Sequence, residues 1–552
     1  MYIIGISAFY HDSSVSLFKD GDLIFACEEE KFTGIKHDSS FPKETLKYIY
    51  KRYKIKKEQI DAVCYYENPK LKYERVMENI KPQWFKNPIY SFKSYLEIRN
   101  NAKNTDILLK EICDNVFYSE HHLAHQYYSY YTSPYNSAVL VSVDGVGEKS
   151  TTAVGYAEGN RIEFSTIAEY PHSLGLFYSA MTSFLGFRPN EGEYKVMGLA
   201  SYGDHKKYID VVRKLITINN SKLQCNMNVF VWNKSNKIMF NEKLPELLGV
   251  EQRLPEEPLT QDHKDLAAAI QRRYEEIFFK ILDITAMVTE KRDLCLSGGC
   301  AYNGTANGKV YKYSKYNSLW IPPAPSDAGS AIGACIHYLV NTNQIKGKIK
   351  RNPFLGPDYF IDERLLKGKK YKKFNSEYKL IQHIAEKIKE GNVVGWFSGR
   401  IEFGSRALGN RSILADPTAD GMKDRINKVI KKREGFRPFA PMVSKEKQHE
   451  FFDMVEDVPY MNQVVKVKPE YVGKLKAVTH VDGTARVQTV HKHTLINDLL
   501  LEFEKLSGFP ILLNTSFNVK DKTMVLTPKD AIDTFYDTEM DVLVLNNFVI
   551  YK

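Results

Sequence analysis

The sequence predicts a mixed α/β protein in two parts, the first of which carries an internal duplication. Three short apolar runs, Tyr2–Ser7, Val15–Phe18 and Leu23–Cys27, are joined by the turn-forming stretches His11-Asp12-Ser13-Ser14 and Asp20-Gly21-Asp22. The arrangement returns at Ala138–Val143, Thr152–Ala157 and Ile162–Ile167, with Asp144-Gly145-Val146-Gly147 and Glu158-Gly159-Asn160 as the turns. From Asn341 to Ser376 the chain becomes basic and punctuated by proline and glycine, and an α/β pattern resumes beyond it.

The remaining elements follow in order. Apolar residues at three- and four-residue steps predict a helix over about Asp262–Glu290. A short strand, Leu294–Leu296, runs into Ser297-Gly298-Gly299, and a glycine turn opening a helix is a geometry that lets a phosphate or nucleotide approach backbone N–H groups. A helix over about Glu377–Glu390 and a strand at Val393–Phe397 begin the second part. The expected division is therefore a domain over 1–350, a linker over 351–375 and a second domain over 376–552.

Composition narrows the function classes. A chain of 552 residues with 43% hydrophobic and 26% charged residues is neither disordered nor collagen-like, and it is long enough for several cores. The net charge of +10 fits anionic small ligands as readily as nucleic acid. Seven scattered cysteines without a C-x-x-C spacing are expected as reduced thiols of a cytoplasmic protein. No apolar run reaches the length of a membrane span, and the start MYIIGISAFYHD lacks a basic stretch and a cleavage site, so no membrane partner and no export leader are expected.

Three groups of residues could carry chemistry. In Glu120-His121-His122-Leu123-Ala124-His125, His121 and His125 share one helical face at a spacing that lets both imidazoles reach one cation. Asp144 and Asp327, each in a turn, are carboxylates that could complete the set, and two histidines with two aspartates suit iron, manganese or zinc alike. His11, with Asp12 beside it, could act as general base on a hydroxyl. The C-terminal part carries arginines in constrained segments: Gly404-Ser405-Arg406 through Arg411, Asn427 to Lys431, Arg433, Arg437 and Arg486, followed by Asn514-Thr515-Ser516-Phe517-Asn518. Guanidinium forks with serine and asparagine describe a polyphosphate pocket.

Ten blocks in order then give the chain a family resemblance: GISAFYHDSSV (5–15), EHHLAHQ (120–126), VSVDGVGE (141–148), NEGEYKVMGLASYGD (190–204), LSGGCAYNG (296–304), PPAPSDAGSAIGA (322–334), GSRALGNRSIL (404–414), KKREGFRPFAP (431–441), DGTARVQTV (482–490) and LNTSFN (513–518). The sequence resembles the O-carbamoyltransferases of the nodulation-factor and antibiotic-tailoring type. The resemblance implies a duplicated ribonuclease-H-like (ASKHA) N-terminal domain, the fold shared by sugar kinases, actin and heat-shock chaperone ATPases, and a YrdC-like α/β C-terminal domain. In such enzymes carbamoyl phosphate and ATP, with Mg2+, give carbamoyl-AMP in the C-terminal domain. The carbamoyl group then passes to an acceptor hydroxyl in the metal-containing N-terminal domain. On this resemblance His121, His125, Asp144 and Asp327 match the metal positions, with iron the first expectation, and His11 matches the catalytic histidine. Gly298, Gly299 and Asn303 match the nucleoside loop, and Arg406, Lys431, Arg437, Arg486, Ser516 and Asn518 match the region that holds carbamoyl phosphate and ATP. Ser405 stands where proline is expected in many relatives, and it leaves Arg406 in place.

The expected partner is a sugar, glycan or natural-product acceptor, with no nucleic acid, and a homodimer is compatible with the sequence. The segments Tyr65–Asn104 and Leu215–Glu256 carry none of the matching blocks and are expected to shape acceptor choice. Two alternatives are a threonylcarbamoyl-type tRNA modification enzyme, which a modest charge excess does not favour, and a non-catalytic ATP-binding switch, which needs no second phosphate pocket.

Overall fold

The computed structural model describes residues 1–235 and 237–552, and the chain forms two compact units. One comprises Met1–Ala26, Ser39–Asn303 and Val310–Arg351; the other comprises Asn352–Lys552 together with Cys27–Asp38 and Gly304–Lys309. Asn236, within the segment expected to shape acceptor choice, lies outside the described residues.

In the first unit, β1 (Tyr2–Ser7), β2 (Ser14–Lys19), β3 (Asp22–Glu28), β4 (Ile60–Tyr65) and β5 (Val116–Tyr118) form one sheet in the order β3-β2-β1-β4-β5. A second sheet is built from β6 (Ser137–Val143), β7 (Ser150–Glu158) and β8 (Arg161–Glu169), while β9 (Ile216–Asn219) and β10 (Lys222–Cys225) form a separate hairpin. With β11 (Asp293–Ser297) and β12 (Ser318–Trp320), the second sheet has the order β8-β7-β6-β11-β12. The two orders are the same, 3-2-1-4-5. So are the directions: β1 pairs antiparallel with β2 and parallel with β4, and β6 pairs antiparallel with β7 and parallel with β11. The duplication expected from the repeated turns is thus a duplication of sheet topology, the ribonuclease-H-like arrangement. Each of the six expected strands is present; Tyr2–Ser7 keeps its expected bounds, and the other five extend by one or two residues at one or both ends, because ladder bonds continue past the last apolar side chain.

Four helices of this unit carry or flank its functional residues: α1 (Pro88–Ile112), α2 (His121–Tyr131), α3 (Gln261–Val288) and α4 (Asp327–Asn341). Helix α3 starts one residue before the periodic pattern, where Thr260 accepts the His263 N–H and caps it. After β11 the expected helix is replaced by a 3₁₀ turn, Gly299–Tyr302, and a four-residue helix, Gly304–Asn307. Gly298 has φ +87°, and a Cβ there would lie 2.2 Å from the Val143 carbonyl oxygen, so the backbone folds against the end of β6 instead of running straight into a helix.

The second unit is organised by an eight-stranded sheet, in the order Lys370–Lys373, Phe548–Tyr551, Val542–Leu545, Val394–Phe397, Arg411–Ala415, Ile511–Ser516, Ala440–Ser444, Gln488–Val490. Its side chains alternate between two apolar layers. Val394, Trp396, Leu414, Leu512 and Val544 pack with Ile384 of α5 (Glu377–Lys389) and Leu499 of α6 (Leu495–Ser507). Phe397, Ile413, Leu513 and Leu543 face the opposite layer with Ile426 and Phe535. The stretch 351–375, read from sequence as a linker, contains the edge strand Lys370–Lys373, whose side chains are exposed as its lysine-rich sequence requires. All seven cysteines are free thiols. Among the described residues, no helix is long and apolar enough to cross a membrane.

Candidate active site

Helix α2 begins shortly after β5, and its first-turn N–H groups need an acceptor. Glu148 supplies it: its carboxylate accepts the His121 N–H at 2.9 Å and the Asn68 N–H at 2.6 Å. Burial raises the Glu148 pKa even against the pull of His121. This cap fixes the rotation of α2, and with it the direction in which His121 and His125 point. The third histidine of the run does something else. His122 Nδ1 meets Ser142 Oγ at 2.9 Å and Nε2 meets the Ser150 carbonyl at 3.0 Å, and burial with its two histidine neighbours lowers its pKa to about 3. It is a neutral strut between α2 and the second sheet. Replacing Glu148 with alanine strands buried donors, so urea unfolding should show a loss of about 2 kcal/mol; an unchanged midpoint would mean that the carboxylate does not hold the helix.

Asp144 follows β6, and Asp327 opens α4. Helix α4 lies so close to α2 that a Cβ on Gly333 would sit 1.8 Å from the Ala124 carbonyl oxygen. That approach brings the four expected ligands together, with their ligand atoms all within 4.8 Å of one another and every residue buried. His125 Nε2 is 2.9 Å from Asp144 Oδ2 and 3.5 Å from Asp327 Oδ1, and His121 Nε2 lies 3.5 Å and 3.6 Å from the same two oxygens.

Two features show that this group fits a cation. The Nε2 atoms of His121 and His125 face each other at 3.1 Å, and both Asp327 oxygens are buried without a hydrogen-bond partner. Two imidazole nitrogens and an unsatisfied carboxylate aimed at one point are costly unless a positive charge lies between them. Ser330 Oγ meets His125 Nδ1 at 2.9 Å, so when Nδ1 carries the proton, Nε2 presents its lone pair to the cluster. Asp144 is held well below the usual carboxylate range, although burial opposes it, because both histidines bond to it. His121 is raised to about 9 by Asp327 and Asp144, against its own burial.

His11 stands at the edge of this group. Its Nδ1 meets Asp12 Oδ2 at 3.1 Å and its Nε2 lies 3.9 Å from Asp327 Oδ2. Burial disfavours its charge, but Asp327 and Asp12 outweigh burial and raise its pKa to about 10. Of the expected nucleoside loop, Gly299 lies against Asp144, where a Cβ would be 3.1 Å from Oδ1. Asn303 is committed elsewhere, exchanging two amide hydrogen bonds of 3.0 Å with Gln271, which also accepts from Tyr178 Oη.

In the second unit the structure joins Lys431, Ser516 and Asn518. Lys431 Nζ, buried at the end of a π-helical turn, donates to Asn518 Oδ1 at 2.7 Å, to the Asn518 carbonyl at 2.9 Å and to the Ser516 carbonyl. Burial, then the charges of Arg433 and Arg437, hold its pKa well below the usual lysine value. An ammonium so placed gains from an incoming anion. Arg486 ends the strand Thr484–Arg486, where its charge acts on His480. Arg406 lies in a loop pinned on both sides: Glu402 Oε1 accepts the N–H groups of Leu408, Asn410 and Arg411, while Gln488 and Asn514 donate to the Leu408 and Ala407 carbonyls. Arg411, at the end of that run, is fully buried over the Phe397 ring and donates to the Ser398, Asn410 and Gly399 carbonyls, so it builds the loop from within.

Sequence reasoning missed Ser330, Glu148 and Glu402. Ser330 lies three residues after Asp327 on a helix, so its place beside the ligands was readable from spacing. Glu148 and Glu402 act through backbone N–H groups, for which side-chain patterns give no signal.

Comparisons with known proteins show the chain's family. Residues 2–336 match the family described as Carbamoyltransferase N-terminus, and residues 385–552 match Carbamoyltransferase C-terminus. The chain belongs to the carbamoyltransferase family. It is 37% identical to an uncharacterized protein of Synechocystis, an alignment that covers all of this chain and 97% of the relative. It is 34% identical to the nodulation protein NolNO of Sinorhizobium fredii, over 99% of this chain and 80% of that one. A nodulation protein NolO from Bradyrhizobium diazoefficiens is 35% identical over 78% of each chain. This carbamoyltransferase is therefore an enzyme whose N-terminal match spans the four clustered residues and His11, and whose C-terminal match spans Arg406 to Asn518.

Proposed function

We propose that this carbamoyltransferase makes carbamoyl-AMP from carbamoyl phosphate and ATP, with Mg2+, in its second unit, and transfers the carbamoyl group to a hydroxyl of a sugar or natural-product acceptor in its first. The observation that carries the proposal is the buried four-ligand cluster with His11 at its edge. His121, His125, Asp144 and Asp327 would hold a divalent metal, iron first among the choices. Bound there, it would polarise the reacting carbonyl or orient the acceptor oxygen.

The proton logic supports this assignment. A base must be neutral, and Asp327 with Asp12 favours the protonated form of His11. A cation held by the four ligands would offset that field, and His11 would take the acceptor hydroxyl proton through Nε2. The acceptor oxygen attacks the carbamoyl carbon, the bond from that carbon to the AMP phosphate oxygen breaks, and AMP leaves.

In the second unit, release of both phosphate and pyrophosphate consumes one water. Water converts carbamoyl phosphate to carbamate and phosphate, and a carbamate oxygen then attacks the α-phosphorus of ATP and expels pyrophosphate. Lys431 with Arg406, Arg437 and Arg486 would hold the anionic groups, and Ser516 and Asn518 keep Lys431 in place. Cytoplasmic carbamoyl phosphate and ATP would supply this reaction.

The test needs no acceptor. Incubated with ATP, Mg2+ and carbamoyl phosphate, the protein should release pyrophosphate and form carbamoyl-AMP, detected by mass spectrometry. Arg437→Ala should slow this by about 100-fold or more, the effect of losing one well-placed charge donor. Absence of both products from the unaltered protein would remove the proposal.

A further inference from the structure

Helix α1 is built inside out for a surface helix. Its inward face carries Ser91, Ser94, Ile98, Thr105, Leu109 and Ile112, all buried, so half of the core-facing positions are hydroxyl residues. Larger apolar side chains face water instead. Ile89, Phe92 and Leu96 occupy one face at steps of three and four residues, and Trp84 and Phe85 extend the patch through the preceding turn. Phe85 is 95% exposed, Ile89 70% and Phe92 53%. Single exposed apolar residues are ordinary; a contiguous run with aromatic residues at its end is the mark of an interaction surface.

The charge around the patch selects the occupant. Lys81, Lys86, Lys93, Arg99 and Lys103 are all exposed, and between Lys81 and Thr105 the only acidic residue is Glu97. A second copy docked by two-fold symmetry would set these same lysines against each other. An anionic lipid surface satisfies both halves of the pattern: aromatic and aliphatic side chains enter the headgroup boundary while lysines meet the lipid phosphates.

We infer that α1 and the Trp84-Phe85 turn form a peripheral docking surface for an anionic membrane. The sequence gives no sign of a membrane partner because no apolar run is long enough to span one, and lying on a bilayer requires no such run.

The full chain should float with vesicles of equal parts phosphatidylcholine and phosphatidylglycerol and remain behind with phosphatidylcholine alone. High salt should strip it. Lys86→Gln combined with Lys93→Gln should weaken binding about 25-fold, at roughly fivefold per basic residue. Phe85→Ser combined with Ile89→Ser should abolish flotation, with circular dichroism and the urea midpoint unchanged because both side chains are exposed. Failure to bind either vesicle, or binding that neither double variant alters, would overturn the inference. So would concentration-dependent self-association in sedimentation velocity that the Phe85→Ser/Ile89→Ser variant removes, because the occupant would then be a second copy.

Discussion

Asp327→Ala should leave the protein folded and able to form carbamoyl-AMP while abolishing transfer to acceptor. The substitution removes the carboxylate whose two oxygens are buried without hydrogen-bond partners, so the fold loses no hydrogen bond. The cluster loses one of four ligands, and a cation held by the remaining three is both weaker and misplaced. Metal per chain should fall to near background after gel filtration. Polarisation of this kind is worth several kcal/mol, so transfer should fall by about 1,000-fold. His11 keeps Asp12 but loses Asp327, the largest of the charges that raise its pKa. A variant that keeps full metal and full transfer would show that the four side chains converge for another reason. Pyrophosphate release that falls in parallel with transfer would show that the two half-reactions do not divide between the units as proposed.

Gly333→Ala is the second expected large effect, and it is a stability effect. The new methyl carbon would lie 1.8 Å from a backbone oxygen, where neither a rotamer change nor a side-chain shift relieves the contact. The two helices must separate, which carries Asp327 and Ser330 away from His125. Overpacking with a backbone neighbour should destabilise the first unit by about 3 kcal/mol, read from urea unfolding by tyrosine fluorescence, with bound metal lost at the same time. If the variant matched the parent in both, close helix approach would not be what assembles the site.

The fold was legible where the pattern was local. Six strands of the duplicated unit, helix α3 and the start of the second unit follow from apolar alternation and turn residues alone. The convergence of His121, His125, Asp144 and Asp327 was legible because two share a helical face and two follow strand-like or proline-rich runs. What stayed hidden is what depends on backbone. Nothing in a side-chain pattern shows that Gly298 turns the chain against β6, or that Glu402 gathers three N–H groups to shape the Arg406 loop. Arg411 reads as a phosphate binder in sequence, and only burial over Phe397 shows it to be internal framework. The reassignment of Cys27–Asp38 and Gly304–Lys309 to the second unit is also invisible to composition, since both stretches are short and flanked by elements of the first.

The ligand cluster has a bearing on how the chain is made. Its first histidine and last aspartate lie more than two hundred residues apart in sequence, and three of its four ligands are translated well before the fourth. While the chain emerges from the ribosome, His121, His125 and Asp144 can be in place, but they form an open site until α4 has been synthesised and has docked on α2. On the proposed metal role of this cluster, tight loading would be a late event, coupled to the seating of α4. A chain that stops short of residue 327, or that fails to seat α4, would lack the fourth of the proposed ligands, so under that proposal metal content would serve as a readout of completed assembly in the N-terminal unit.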